Sequence, residues 1–375
     1  MKNKVIVLLG MGAVFGTCAT QAQVTIDSFT PLSGFGTTGS GWLAPNGVDG
    51  STYTYLSSTA STERGLAYDP VDNDLFLVTR NNNTIRILNS STGADLGSLN
   101  MTGISGGTYA ENMIAVGGDG AIYVGNLTTS ATSPFKVYEY ATPTSAPSLV
   151  YSGNPIGGAT RLGDSLAAIG SGNSTVLAAG FGNTGTGNSG YEIISPSAGT
   201  ASQIAFTGTP PNGGDFRLGI TFVDSAHVIG TQGSTLYRYS SFSGTTGTLL
   251  ASPALSGSAD RPLGYITIGG MNIMASVSTG DNHVTLYDMT DPTSPVIVGT
   301  ANATTGTLPA NGNATGDIAW GTPVANSDGT YTEDLYAMST NDGIQAFQVV
   351  IAPEPSTLAL GAIGIVSGLL WRRRR

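Results

Sequence analysis

"RGLAYDPVDNDLFLVTRNNNTIRILNSSTGADLGSLN", residues 64–100, contains four short β-forming runs joined by tight turns. The run around Gly65 passes through "DPVDND" into "LFLVT", then through "NNN" into "TIRIL", then through "SSTG" into a shorter "ADLGSL". β-Branched and aromatic residues suit a pleated, half-buried surface, while Asn, Asp, Gly and Pro supply the turns. The stretch therefore predicts one small antiparallel sheet.

The same order recurs along the chain. Further units open at "ENMIAVG" (Glu111), "RLGDSLAAIG" (Arg161), "FRLGITFVD" (Phe216), "RPLGYITIGG" (Arg261) and "TGDIAWG" (Thr315). With Gly65, Asn112, Gly163, Gly219, Gly264 and Gly316 as markers, the spacings are 47, 51, 56, 45 and 52 residues. Repeats of about 40 to 50 residues with four strands each are propeller blades. No helical periodicity longer than two turns interrupts residues 23–351, so the body is all-β, a single six-bladed β-propeller. The last unit, ending in "IQAFQVVI", supplies three strands, and "QVTIDSFTPL" from the N-terminal side is expected to add the fourth and protect an edge. "STYTYLSS" is the alternative closing strand. A seventh, degenerate blade over residues 24–61 is the alternative count. A two-sheet sandwich would not need six similar units.

The ends differ from the body. Residues 1–22 carry Lys2 and Lys4, an apolar run and then small residues, the pattern of a secretory signal peptide cleaved after Ala22, with Ala19 as the alternative. Cys18, the one cysteine, falls inside it behind a poor lipobox, so the mature chain has neither disulfide nor thiolate chemistry. Residues 352–375 run from "PEP" through the fourteen uncharged residues Leu358 to Trp371 to Arg372, Arg373, Arg374 and Arg375. As a helix, that apolar run spans roughly 21 Å, short of a bilayer core of about 30 Å, so flanking residues must help it across. The arginines resist translocation and are expected to stay cytoplasmic.

The tripeptide Pro353-Glu354-Pro355, the short apolar helix and the arginine cluster, in that order, resemble the PEP-CTERM sorting signal of Gram-negative envelope proteins. The resemblance implies recognition of Pro353, Glu354 and Pro355 by an exosortase, a membrane-embedded protease that removes the tail. It also implies a setting of exopolysaccharide and biofilm, with an inner-membrane-anchored precursor released to the cell surface or matrix. "SGGTYAENMIAVGGDGAIYVGNL" within residues 64–151 resembles a poorly characterised propeller-like family of secreted bacterial proteins with no assigned activity.

Setting aside Lys2, Lys4 and the terminal arginines leaves eight basic groups against 24 acids. That balance excludes nucleic acid as a partner, because counterion release needs clustered positive charge. His227 and His283 are the only histidines, each beside a β run, where a packed or half-exposed residue is the ordinary case. Gly163-Asp164-Ser165-Leu166 looks like the nucleophile block of an esterase family, but that block normally opens the fold after its first strand, and here it stands in the third unit, so it reads as coincidence. No cofactor motif is present. Calcium is the one ion raised by the oxygen-rich turns "DPVDNDLF" and "NSDGTYTED", although neither has the spacing of an EF-hand or nonapeptide repeat.

The scarce arginines are more telling. Arg64, Arg161, Arg217 and Arg261 stand at or just before the opening strands of blades, with Glu63, Asp164, Asp215 and Asp260 nearby. Opening strands line a propeller's channel, so these arginines are expected to meet at one mouth. One expectation is a ring of inter-blade ion pairs. The other is a pocket whose guanidinium forks bind carboxylates, such as acidic sugars. The sequence thus points to an exported, non-enzymatic structural module that binds glycans or surface proteins. A polysaccharide hydrolase or lyase on the same scaffold is the alternative.

Overall fold

The computed structural model describes residues 24–353, apart from 131, 155–159, 184–189, 213, 233–236 and 256–259. The signal peptide with Ala22, and the tail from Glu354 through Arg375, lie outside the described residues. Among the described residues no helix is long and apolar enough to cross a membrane.

Six sheets form a six-bladed propeller. Blade 1 runs Glu63–Asp69, Asp74–Thr79, Thr84–Asn89 and Asp95–Ser98 from axis to rim. Blades 2 to 5 follow in chain order, with inner strands at Tyr109–Val116, at Thr160–Leu162 with Ala167–Ile169, at Gly219–Asp224 and at Asp260–Ile268. Blade 6 begins at Gly316–Trp320 and continues through Tyr331–Ser339 to Gly343–Pro353. Its outer strand is Val24–Pro31, antiparallel to the last strand from Val24 opposite Pro353 to Pro31 opposite Phe347. Trp42–Leu43 extends that edge against Ile344 and Gln345. The N-terminal segment therefore closes the ring as expected. Residues 51–58, the alternative closing strand, form no strand; they pack as a loop that delivers the Tyr55 carbonyl to Thr79 Oγ1 at 2.9 Å. The degenerate seventh blade is absent for the same reason, because its residues complete blade 6.

The apolar core is distributed radially. Six buried clusters occupy six blade–blade interfaces, for example Phe76, Val78 and Ile85 of blade 1 against Ile122, Val124 and Tyr140 of blade 2. Second strands, covered on both faces, are therefore continuously apolar: Leu75, Phe76, Leu77 and Val78 are fully buried. Outer strands such as Asp95–Ser98 are largely exposed.

The glycine markers have a steric cause. A Cβ on Gly65 would stand 2.7 Å from the backbone nitrogen of Ile114 in blade 2, and one on Gly219 would stand 1.9 Å from the Arg261 carbonyl in blade 5. Inner strands converge on the axis, and glycine lets neighbouring backbones touch there. Because each inner strand starts at the same end of the axis, residues just before the markers share one mouth.

Candidate functional site

Arg64, Arg161, Arg217 and Arg261 all lie at that end. Arg80, in the turn after the second strand of blade 1, joins them. Arg64 is buried between blades 1 and 6: its Nη1 donates to Thr315 Oγ1, to Thr340 Oγ1 at 3.3 Å and to the Glu63 carbonyl at 3.3 Å. Arg80 donates to Asn112 Oδ1 and lies 3.6 Å from the centroid of the Tyr109 ring, a cation–π contact that links blades 1 and 2.

Blade 3 supplies the shared carboxylate. Its inner strand breaks at Gly163 (φ +100), where a Cβ would meet the Asn126 carbonyl at 2.0 Å. The resulting bulge aims the buried Asp164 back at Arg161. Arg161 grips it with Nε on Oδ2 and with Nη2 on Oδ1 at 3.0 Å, a bidentate pair. From blade 4, Arg217 Nη1 approaches Asp164 Oδ2 at 3.6 Å, while the Arg217 Nε has no partner. Arg261 of blade 5 has one weak contact, to Thr279 Oγ1 at 3.4 Å, and its buried Nε is also unpartnered.

The electrostatics confirm that these five groups share one field. Burial depresses Arg64, Arg80, Arg217 and Arg261. Charged neighbours come next: Asp164 raises Arg64 and Arg217, and Glu63 raises Arg64, ahead of the lowering by Arg161, while Arg64 lowers Arg80 and Arg217 lowers Arg261. Arg80 falls furthest, to about 9. Only Arg161 is raised, by its bond to Asp164. All five remain charged at neutral pH and repel one another. Glu111 at the same end is pushed up to about 7 by burial, so at neutral pH it supplies only part of a charge against them.

The expected acid partners need correction. Glu63 does not ion-pair with Arg64; its carboxylate accepts from Thr62 Oγ1 at 2.9 Å and from the Asn341 amide at 3.4 Å. Asp215 binds Arg238 Nε at 2.6 Å rather than Arg217. Asp260 accepts the Tyr287 hydroxyl at 3.1 Å. A complete ring of inter-blade ion pairs is not what the fold builds: among the described residues at this mouth, one ion pair crosses blades, Arg217 to Asp164.

Ser165 is buried and donates to the Phe216 carbonyl at 3.0 Å, tying blade 3 to blade 4. His227 faces Asp224 at 2.8 Å in a hairpin at the opposite end, and His283 sits 3.3 Å from Asp281. Asp69 in the "DPVDND" turn accepts the Val71 amide at 2.8 Å, an Asx-type cap.

Comparison with known proteins finds two matching family models and solved structures of similar fold. Residues 47–216 match the domain of unknown function DUF4623, and residues 352–375 match the PEP-CTERM protein-sorting motif. The motif marks export, C-terminal membrane anchoring before processing by an exosortase-type system, and a surface or extracellular destination. A DUF4623 family protein from Bacteroides eggerthii superposes with TM-score 0.59 at 19% identity, over 79% of this chain and 71% of that one. A gluconolactonase from Xanthomonas campestris (TM-score 0.45, 12% identity, 80% of this chain and 89% of that one) also matches. So does a luciferin-regenerating enzyme (TM-score 0.48, 12% identity, 79% and 93%). At such identities the likeness is one of fold. No curated protein matches the chain.

Proposed function

We propose that the propeller is a non-enzymatic binding module of the cell surface or extracellular matrix that takes carboxylate-bearing glycans at the arginine mouth. The observation that carries this reading is the excess of guanidinium over carboxylate there. Arg217 reaches a carboxylate only at 3.6 Å, and Arg261 has no acid partner among the described residues. Planar forks presented on rigid inner strands match the flat carboxylate of a uronic acid, and two charge-assisted bonds of about 1.5–3 kcal/mol each give useful affinity. The net-negative remainder of the body repels polyanions, which confines them to this mouth.

The test is calorimetric titration of residues 23–352 with an oligouronate and with a neutral oligosaccharide of equal length, together with an assay for new chain ends. The reading expects saturable binding of the oligouronate alone, weakened by added salt and at least tenfold by Arg217→Ala with Arg261→Ala, and no cleavage. Equal binding of the neutral sugar contradicts the site, and new chain ends contradict the non-enzymatic assignment.

A further inference from the structure

The opposite end of the axis has the reverse character. The hairpins joining first to second strands carry Asp69, Asp72, Asp119, Asp224 and Asp328, and no lysine or arginine occurs in any of them. Between these hairpins the channel widens into a cavity of about 260 Å³ to which all six inner strands contribute. Tyr68, Tyr265 and Trp320 lie toward its outer end, and Asp317 sits deep on its blade 6 wall. Below it Met113, Leu166, Leu218, Pro262 and Leu263 close on a void of about 10 Å³, at the lower limit for one water.

Asp317 is an unusual group to place on the axis of a sheet ring. It lines the cavity and is partly buried. Oδ2 accepts the Leu66 amide at 2.9 Å and Oδ1 accepts the Ile318 amide at 3.0 Å. Those bonds hold the carboxyl in place, and no cation pairs with it among the described residues. An acid kept in such a position, at the bottom of a cavity whose rim is acidic and aromatic, is matched by a positively charged guest. A metal ion is a poor match, because no group of three or more ligating side chains occurs among the described residues. An organic ammonium needs one carboxylate, nearby carbonyls and ring faces.

We propose that this cavity is a binding site for a small alkylammonium ion, which enters from the acidic face and pairs with Asp317. The site is independent of the arginine mouth and of the function assigned there. Asp317 meets Leu66 of blade 1 and pairs with Met338 across its own blade, and it shares the cavity with Tyr68 of blade 1 and Leu263 and Tyr265 of blade 5. The titratable ones are the tyrosines, both shifted upward, Tyr265 to about 12, so they stay neutral. Burial pushes Asp317 itself up to about 8, with no contribution from another charged group. Binding an ammonium therefore requires loss of the Asp317 proton, and affinity rises with pH by about tenfold per unit below that value.

The experiment titrates residues 23–352 with n-butylamine and, separately, with n-butanol at pH 6, 7 and 8. The readout is the fluorescence of Trp320, with the buried Trp42 as the other indole of the body. The expected result is saturable binding of the amine alone, tightening about tenfold from pH 6 to 7 and reduced at least tenfold by Asp317→Asn. Because that change could disturb the Leu66 and Ile318 amides, Ala168→Phe, which fills the cavity and keeps the acid, is tested beside it and is expected to abolish binding. Binding of n-butanol as strong as that of the amine, a pH-independent affinity, or unchanged binding to Ala168→Phe overturns the proposal.

Discussion

The two ends of the propeller axis are built from the same inner strands, yet they treat charge in opposite ways. At the end where the strands begin, five guanidiniums gather and are only partly neutralised, with Asp164 as the shared acid. At the end where they finish, acidic hairpins surround a cavity holding one uncompensated carboxyl. Loops at the strand starts and strand ends carry sequence independently of the blade cores, so one rigid ring can hold two unlike sites. Between them the channel narrows to a void of about 10 Å³.

Four perturbations sharpen the contrast, in order of expected effect. Deleting residues 24–31 removes the outer strand of blade 6 and opens the ring, so cooperative thermal unfolding should vanish and both ends should lose their geometry together. Asp164→Asn strips the arginine mouth of its shared acid and leaves Arg161 and Arg217 facing each other. Denaturant unfolding should show a loss of about 1–3 kcal/mol, moderated by the exposure of Arg161, while anion affinity rises.

The third is pH. Burial raises Asp317 and Glu333 to about 8, Glu111 to about 7 and Asp342 to about 6, and raises Glu192 strongly. Each folded value lies above the unfolded one, so the folded chain holds protons that the unfolded chain has released. Stability from these groups is complete below about pH 4 and is lost as pH rises through 6 to 8. Melting temperature should therefore fall between pH 5 and 8.5. Glu333→Gln, at a side chain with both oxygens unpartnered, should flatten that slope by about 1 kcal/mol or more. The smallest effect is expected of His227→Ala. Its ion pair with Asp224 is exposed, and unfolding should shift by less than about 0.5 kcal/mol with neither site affected.

The architecture was legible because its cause is local and repeated. Gly65 and Gly219 sit where inner backbones meet, and turns take Asn, Asp or Gly; Asn73 adopts φ +58 in the first hairpin. The arginine mouth was legible in part. Arg80 escaped notice because it reaches the mouth from the turn after a second strand rather than from an opening strand. The acid partners were misread for a different reason. Successive residues on a strand point to opposite faces, so Glu63 and Arg64, or Asp260 and Arg261, are adjacent in sequence and turn apart in space. Arg161 and Asp164 meet because a bulge intervenes, and Asp215 finds Arg238 across its blade. Asp317 carried no signal at all: "TGDIAWG" reads as an ordinary opening strand, and only ring closure shows that its acid faces the axis.

The most direct measurement is a double titration of residues 23–352 with an oligouronate and n-butylamine, each in the absence and in the presence of saturating amounts of the other. Two binding events with unchanged affinities are expected, the first lost with Arg217→Ala and Arg261→Ala and the second with Asp317→Asn. Mutual competition, or loss of both events from either set of substitutions, would contradict an axis with two separate ends of opposite charge.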